Sequence, residues 1–129
     1  MKKVLWAVSI TIVLILIVVM EQIFVDNTLD ELIAKINYIE QKIEQTENIN
    51  QQEILNLNEQ LDAFWTEKEN VLCLIINHND LSNIGEQIKK IKLYTQQNKK
   101  DECECEIEIL KFYANSSKHV MEINLQNLL

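Results

Sequence analysis

The sequence predicts an all-α protein in which an N-terminal transmembrane helix is followed by an antiparallel, up-down four-helix bundle. Three observations support this fold class: a long apolar run near the N-terminus, apolar residues repeated at spacings of three and four, and a composition with one glycine and no proline. With 129 residues, the chain has room for one anchor and one modest domain. A chain this poor in glycine and proline cannot form glycine-rich phosphate loops or many tight hairpins.

The apolar run follows Lys2 and Lys3 and is long enough to form a membrane-spanning helix. This apolar segment, residues 4–20, consists of Val4, Leu5, Trp6, Ala7, Val8, Ser9, Ile10, Thr11, Ile12, Val13, Leu14, Ile15, Leu16, Ile17, Val18, Val19 and Met20. A cleaved signal peptide is the alternative, but it has a shorter apolar region followed by a small-residue cleavage site, which is missing here. We therefore predict an uncleaved signal-anchor over residues 1–25.

The charges on either side of the apolar segment predict its orientation. Lys2 and Lys3 precede it, whereas acidic residues beginning with Glu21 and Asp26 follow it. Because positively charged flanks stay in the cytoplasm, we expect a short cytoplasmic N-terminus and a single span of the cytoplasmic membrane. Residues 28–129 then form an extracytoplasmic helical domain.

The first two helices of this domain are predicted from capping signals and apolar spacing. Residues 28–31 resemble a capping box, and the apolar residues that follow at helical spacing end at Ile43. Nothing between residues 21 and 27 would prevent this helix from continuing the transmembrane segment. After a polar break, residues 50–53 provide a second capping signal. The apolar face predicted for the second helix comprises Ile54, Leu57, Leu61, Phe64, Leu72 and Ile75, interrupted by Lys68.

The third and fourth helices follow polar breaks at residues 77–80 and 98–101. Residues 103–109 also alternate strictly, as a strand would, but a lone strand has no partner here and the flanking pattern is helical. Such short connections make consecutive helices antiparallel, which favours a bundle over one long coiled coil. The inner faces predicted for these helices comprise Leu81, Ile84, Ile88, Ile91 and Tyr94 in the third, and Cys103, Ile107, Leu110, Ala114 and Met121 in the fourth.

The net charge argues against a nucleic-acid partner. Twelve basic residues, all of them lysine, stand against 20 acidic residues, which gives a net charge of −8. A surface this acidic repels phosphate backbones, and the lack of arginine removes the side chain best suited to bidentate phosphate binding. We therefore expect no nucleic-acid partner.

Four residues are candidates for chemistry: His78, Asp80, Cys103 and Cys105. His78 and Asp80 could supply two metal ligands or an acid–base pair, but a metal site needs three or four ligands, and Asp80 is placed to cap a helix. Cys103 and Cys105 suggest soft-metal or redox chemistry, yet residues two apart on a helix point in nearly opposite directions. A disulfide from Cys73 to either of them is a further alternative. We predict no metal, no cofactor, no catalytic residue and hence no enzyme.

Five aromatic residues could line a ligand-binding cleft between the helices. They are Phe64, Trp65, Tyr94, Phe112 and Tyr113. Aromatic residues at helical spacing are more often part of the core, and we expect them to be so here.

Several segments of the second half of the chain carry a family resemblance. They are Trp65, residues 74–81, 88–94 and 109–112, and the tail at 124–129. In these segments and in the N-terminal anchor, the chain resembles the bacterial domain of unknown function family 4363. The resemblance implies a small membrane-anchored helical protein, mainly of Gram-positive bacteria, without an assigned activity and sometimes encoded beside a multi-pass membrane protein. Gly85 departs from the expected pattern, because a helix former is usual at that position.

Together these observations predict a single-pass membrane protein whose acidic bundle is a structural or protein-interaction module with a membrane or envelope protein as partner. One alternative is a sensor bundle that binds a small molecule or metal and reports through a membrane partner, because residues 1–3 leave no room for an output domain. Another is a coiled-coil scaffold of the division or lysis type, which would form an extended dimer. The oligomeric state is left open, and a homo-oligomer is one of the alternatives.

Overall fold

The computed structural model describes residues 1–128, which form four α-helices. These are α1 (Lys2–Glu44), α2 (Gln52–Leu72), α3 (His78–Gln96) and α4 (Lys100–Leu128). Each helix packs against two others in the cyclic order α1, α2, α3, α4. Because the connections are short, neighbouring helices run antiparallel, and the predicted all-α bundle is confirmed. Leu129, which ends both the predicted domain and the 124–129 tail, lies outside the described residues.

A single helix, α1, contains both the apolar segment and one wall of the bundle. Residues 1–20 are exposed throughout, whereas from Val25 onward buried residues recur at helical spacing. The apolar part of α1 is long and apolar enough to cross a membrane, and none of it is buried against the rest of the protein. The buried face of the second half comprises Val25, Thr28, Leu29, Leu32, Ile36, Ile39 and Ile43.

The helix start predicted at residues 28–31 is wrong, because Thr28 lies inside α1. The Thr28 hydroxyl donates a hydrogen bond to the carbonyl oxygen of Phe24, 2.8 Å away, instead of capping a new helix. A threonine inside a helix commonly satisfies its hydroxyl in this way. With no proline or glycine before Thr28, the helix continues, and the apolar segment joins the bundle without a loop.

Two other predicted caps are also wrong. Asn50 lies one residue before the N-cap position of α2, which begins at Gln52 without a side-chain cap among the described residues. At α3, the side-chain oxygen of Asn77 accepts a hydrogen bond from the backbone N–H of Asn79 at 2.9 Å, so Asn77 is the cap. Asp80 is already in the first turn, where its negative charge favours the helix dipole.

The core is formed by one buried face from each helix, and Trp65 is its largest fully buried side chain. In α2 this face is rotated from the predicted one: Asn58 and Trp65 are buried, whereas Leu57 and Phe64 are half-buried at its border. In α3 and α4 the predicted faces are buried, except that Tyr94 and Met121 are only partly covered. The segment 103–109 is helical, as the surrounding pattern predicts.

At the end of the bundle away from the apolar segment, Asn98 joins the two connections. Asn98 has a φ of 55°, in the left-handed region that asparagine tolerates better than most residues. Its side-chain oxygen accepts a hydrogen bond from the backbone N–H of Ile49 at 2.8 Å. The ammonium of Lys100 donates to the carbonyl oxygen of Thr46 at 2.9 Å. These two bonds tie the α1–α2 connection to the α3–α4 connection.

We expect Asn98→Ala to lower the free energy of unfolding by about 2 kcal/mol, since alanine loses the bond to Ile49 and is strained at positive φ. Asn98→Gly should cost only about 1 kcal/mol, because glycine adopts positive φ without strain. Urea unfolding of the full chain in detergent micelles, followed by circular dichroism, measures both. Equal losses for the two variants would contradict the backbone part of this explanation.

Candidate functional site

His78 and Asp80 lie in the first turn of α3, beside the α2–α3 connection. The His78 side chain is exposed and Asp80 is half-buried. Across the described residues, no group of three or more His, Cys, Asp or Glu side chains is arranged to hold a metal ion. The structure therefore brings no third ligand to this pair, and the histidine and aspartate stand alone at the turn.

All three cysteines lie in the described part of the chain, and they are free. Cys73 follows the end of α2 and Cys103 lies near the start of α4, so the whole of α3 separates them. A helix of 19 residues spans about 28 Å, far beyond the reach of a disulfide. The alternative of a disulfide from Cys73 to Cys103 or Cys105 is therefore wrong. Cys103 is buried and Cys105 exposed, as expected for residues two apart on a helix.

Cys103 belongs to a small buried polar cluster between α2, α3 and α4. The side-chain amide of Asn58 donates to the Thr95 hydroxyl at 2.9 Å, and that hydroxyl donates to the carbonyl oxygen of Ile91 at 2.7 Å. The Cys103 sulfur lies 3.5 Å from the same hydroxyl. Burial raises the pKa of the Cys103 thiol above its ordinary value, and the hydrogen bond with Thr95 opposes this only in part. Since the thiolate is the reactive form, Cys103 is poorly suited to nucleophilic or redox chemistry.

We expect two thiols of the folded protein, Cys73 and Cys105, to react rapidly with Ellman's reagent. Cys103 should react at least about 100-fold more slowly, because it becomes accessible only when the bundle opens. Counting thiolate release in detergent micelles, with and without urea, measures this. The matched control is the Cys73→Ser/Cys105→Ser double variant, which should retain only the slow phase. Three rapid thiols in the wild type would contradict the burial of Cys103.

The five aromatic residues considered as a cleft lining do not converge on one site. Trp65 is buried in the core, and Phe64 is half-buried at the α1–α2 side. Phe112 is 66% exposed on α4, with its ring centroid 5.9 Å from that of Tyr113. Tyr94 is half-buried on α3. The five aromatic residues therefore lie partly in the core and partly at the surface, and they do not line a common cleft.

A groove lies between α1 and α2 on the bundle surface. It has a volume of about 410 Å³ and is open to solvent. Its floor is mainly apolar, with charged and amide side chains at the rim. Half-buried Leu57 contributes to it because the buried face of α2 is rotated towards Asn58 and Trp65. An apolar floor within a polar rim is the usual anatomy of a protein-binding surface. The lining residues are Glu31, Ala34, Lys35, Tyr38, Ile39, Leu57, Gln60 and Leu61.

Lysine side chains join the helices at the bundle surface. From α4, Lys111 pairs with Glu40 of α1, and Lys118 pairs with Asp30 of α1 at 2.6 Å. Burial lowers the pKa of Lys111, but hydrogen bonds and charge attraction from Glu40 and Glu108 outweigh it, so the pKa lies above its ordinary value. Many lysines are thus neutralised by pairing. The chain as a whole still carries a net charge of −8.

Comparison with known proteins adds a family match. A family model described as a domain of unknown function (DUF4363) matches residues 19–128, which include the whole bundle and the end of the apolar segment. No curated protein and no solved structure matches the chain.

Proposed function

The chain belongs to the DUF4363 family, a domain of unknown function, and from this premise we propose that it is a single-pass membrane protein that presents its bundle outside the cytoplasm to another membrane or envelope protein. The observation that carries the proposal is the continuity of α1, Lys2–Glu44. One helix supplies both the apolar segment and a wall of the bundle. A bundle joined in this way has a defined height and orientation at the membrane, which a flexible linker would not provide.

The membrane is the natural environment for the apolar segment. Its side chains are exposed throughout, and an exposed apolar surface of this size would drive aggregation in water. Residues 4–20 span about 25 Å as a helix, and continuing to Phe24 reaches the ~30 Å of a bilayer core. The lysines before the segment and the acidic residues after it favour an N-terminus in the cytoplasm.

The α1–α2 groove is the surface that best suits a protein partner. Its apolar floor would receive apolar side chains, while Glu31, Lys35 and Gln60 at its rim would offer polar contacts to the partner. The coiled-coil scaffold alternative fits less well, because the helices of one chain already cover one another's apolar faces. The partner is therefore expected at the side of a compact bundle.

Site-specific photo-cross-linking of the full-length protein in living cells tests the partner. A benzophenone amino acid replaces Tyr38, a 47% exposed aromatic residue in the groove, and the matched control replaces Phe112, a 66% exposed aromatic residue on α4. We expect an adduct with one membrane or envelope protein from position 38 and not from position 112. An adduct with a second copy of the chain would instead identify a homo-oligomer. Equal adducts from both positions, or none with efficient activation, would refute a partner in the groove.

Thiol labelling tests the orientation independently of any partner. A membrane-impermeant maleimide added to intact cells should label the exposed Cys105, which lies at the end of the bundle away from the apolar segment. The Cys73→Ser/Cys105→Ser variant is the control and should remain unlabelled, since Cys103 is buried. Labelling that requires cell lysis would place the bundle in the cytoplasm and overturn the proposed topology.

A further inference from the structure

The connection between α2 and α3 is unusually apolar for an exposed turn. From residue 70 to residue 79 the chain has no Asp, Glu or Lys, although charged residues make up 25% of the sequence. Leu74 is 84% exposed and Val71 is 47% exposed. Among residues 21–123, no other large apolar side chain is as exposed as Leu74. Turns at a protein surface are normally polar, so we expect an apolar environment to cover the exposed side chains of this one.

The position of the turn indicates what that neighbour is. Val71, Leu74 and Ile75 line a groove of about 300 Å³ together with Met20 and Phe24 of α1, where α1 leaves the bundle. The turn is therefore continuous with the end of the apolar segment. Met20 and Phe24 are separated by about 6 Å along the helix axis, which is close to the thickness of the interfacial layer on one side of a bilayer.

The C-terminal half of α4 adds apolar surface at the same end. Lys118 pairs with Asp30 of α1, and because α4 runs antiparallel to α1, the residues that follow lie closer to the apolar segment. Among them, Val120 is 50% exposed and Ile123 is 43% exposed. The end of the bundle that faces the apolar segment thus carries exposed apolar residues on two elements besides α1.

We propose that the α2–α3 turn inserts Leu74, flanked by Val71 and Ile75, into the lipid interface beside α1. This gives the bundle a second contact with the bilayer, in addition to the continuous helix α1. The inference rests on the proposed function, because it requires the apolar segment to span the membrane. The turn itself is uncharged and has acidic residues nearby, Glu21 and Asp80 among them, so the contact is with the apolar part of neutral lipids and not with anionic headgroups.

Depth-dependent fluorescence quenching of the full chain tests this contact. The protein carries Cys73→Ser and Cys105→Ser, so that an introduced cysteine is the accessible labelling site while Cys103 stays buried. A bimane label is placed by Leu74→Cys, by Val19→Cys in the apolar segment, or by Asn48→Cys in the exposed α1–α2 connection. Each variant is reconstituted at one copy per phosphatidylcholine nanodisc, which excludes a protein partner and a second copy. Quenching is measured with nitroxide lipids labelled near the headgroup and deep in the acyl chain.

We expect the label at position 74 to be quenched at least about threefold more than that at position 48 by the shallow nitroxide, and the label at position 19, near the end of the apolar segment, to be quenched at least as strongly as that at position 74. Quenching at position 19 with none above the position 48 level at position 74 would overturn the turn–lipid contact and leave the membrane span intact. In that case a protein partner, and not lipid, would be expected to cover the exposed apolar side chains of the turn. Absence of quenching at position 19 would refute the membrane span itself, and the inference with it.

Discussion

Trp65→Ala is expected to lower the free energy of unfolding of the bundle by about 4 kcal/mol. Trp65 is 2% exposed and is the largest fully buried side chain, so its truncation removes apolar contacts and leaves a cavity between α2 and α3. Domains are stable by only about 5–15 kcal/mol, so the variant should unfold at a much lower urea concentration than the wild type. Circular dichroism of the full chain in detergent micelles measures the change.

Trp65→Phe separates packing from hydrogen bonding at this position. The indole N–H of Trp65 has no hydrogen-bond partner among the described residues, so its loss should matter little. Phenylalanine keeps an aromatic ring in the core, and we expect a loss of about 1–2 kcal/mol from the smaller volume. A phenylalanine variant as unstable as the alanine variant would show that packing is not the main role of the indole.

Trp65 also accounts for Gly85, which the sequence alone could not explain. A Cβ atom at position 85 would lie 3.2 Å from the indole nitrogen, closer than ordinary van der Waals contact. Glycine therefore lets α3 approach the Trp65 ring closely. The helix propensity lost at this position is offset by packing against a residue on another helix. Such a compensation depends on which helices become neighbours, and a single sequence does not contain that information.

The helices could be predicted because their apolar periodicity is strong and the polar breaks between them are short. The exact face that each helix buries was harder to predict, as α2 shows. Leu57 and Phe64 on one side and Asn58 and Trp65 on the other lie one residue apart, so both faces fit helical spacing. Asn58 can be buried because its amide donates to Thr95 of α3, a partner that only the tertiary structure provides.

Residues 28–31 show that a local capping motif does not by itself locate the start of a helix. A threonine followed three positions later by a glutamate has the form of a capping box whether or not a helix begins there. In the structure, the Thr28 hydroxyl bonds to the preceding turn, and α1 continues through the motif. The absence of a helix breaker after the apolar segment was the better guide to this part of the chain.

The candidate site residues were chosen by residue type, and the structure separates them. His78 and Asp80 lie at the α2–α3 turn, whereas Cys103 and Cys105 lie beside the α3–α4 connection at the other end of α3. The surfaces proposed to make contacts are the α1–α2 groove and the apolar turn around Leu74. Both depend on the arrangement of helices distant in sequence, so residue type and spacing could not reveal them.

Asn27→Pro is expected to uncouple the bundle from the apolar segment and to lower the free energy of unfolding by about 3 kcal/mol. Asn27 is exposed in α1, on the first turn of the bundle, between buried Val25 and buried Thr28. Proline there removes the helical hydrogen bond to the carbonyl of Ile23 and clashes with that carbonyl, so α1 breaks or kinks. Spin labels at Val19→Cys and Asn48→Cys, in the Cys73→Ser/Cys105→Ser background and in nanodiscs, report the distance between the apolar segment and the far end of the bundle.

A continuous α1 predicts a narrow distance distribution in the parent protein and a broad one in the proline variant. Asn27→Ala is the matched control, because it removes the same side chain while favouring the helix, and it should leave both the distribution and the stability nearly unchanged. If the bundle must be held at a fixed orientation to meet its partner, cross-linking from position 38 should fall in the proline variant and persist in the alanine variant. A narrow distribution that survives the proline would mean that contacts other than α1 hold the bundle at the membrane. Loss of cross-linking with alanine alone would instead point to a direct role for the Asn27 side chain.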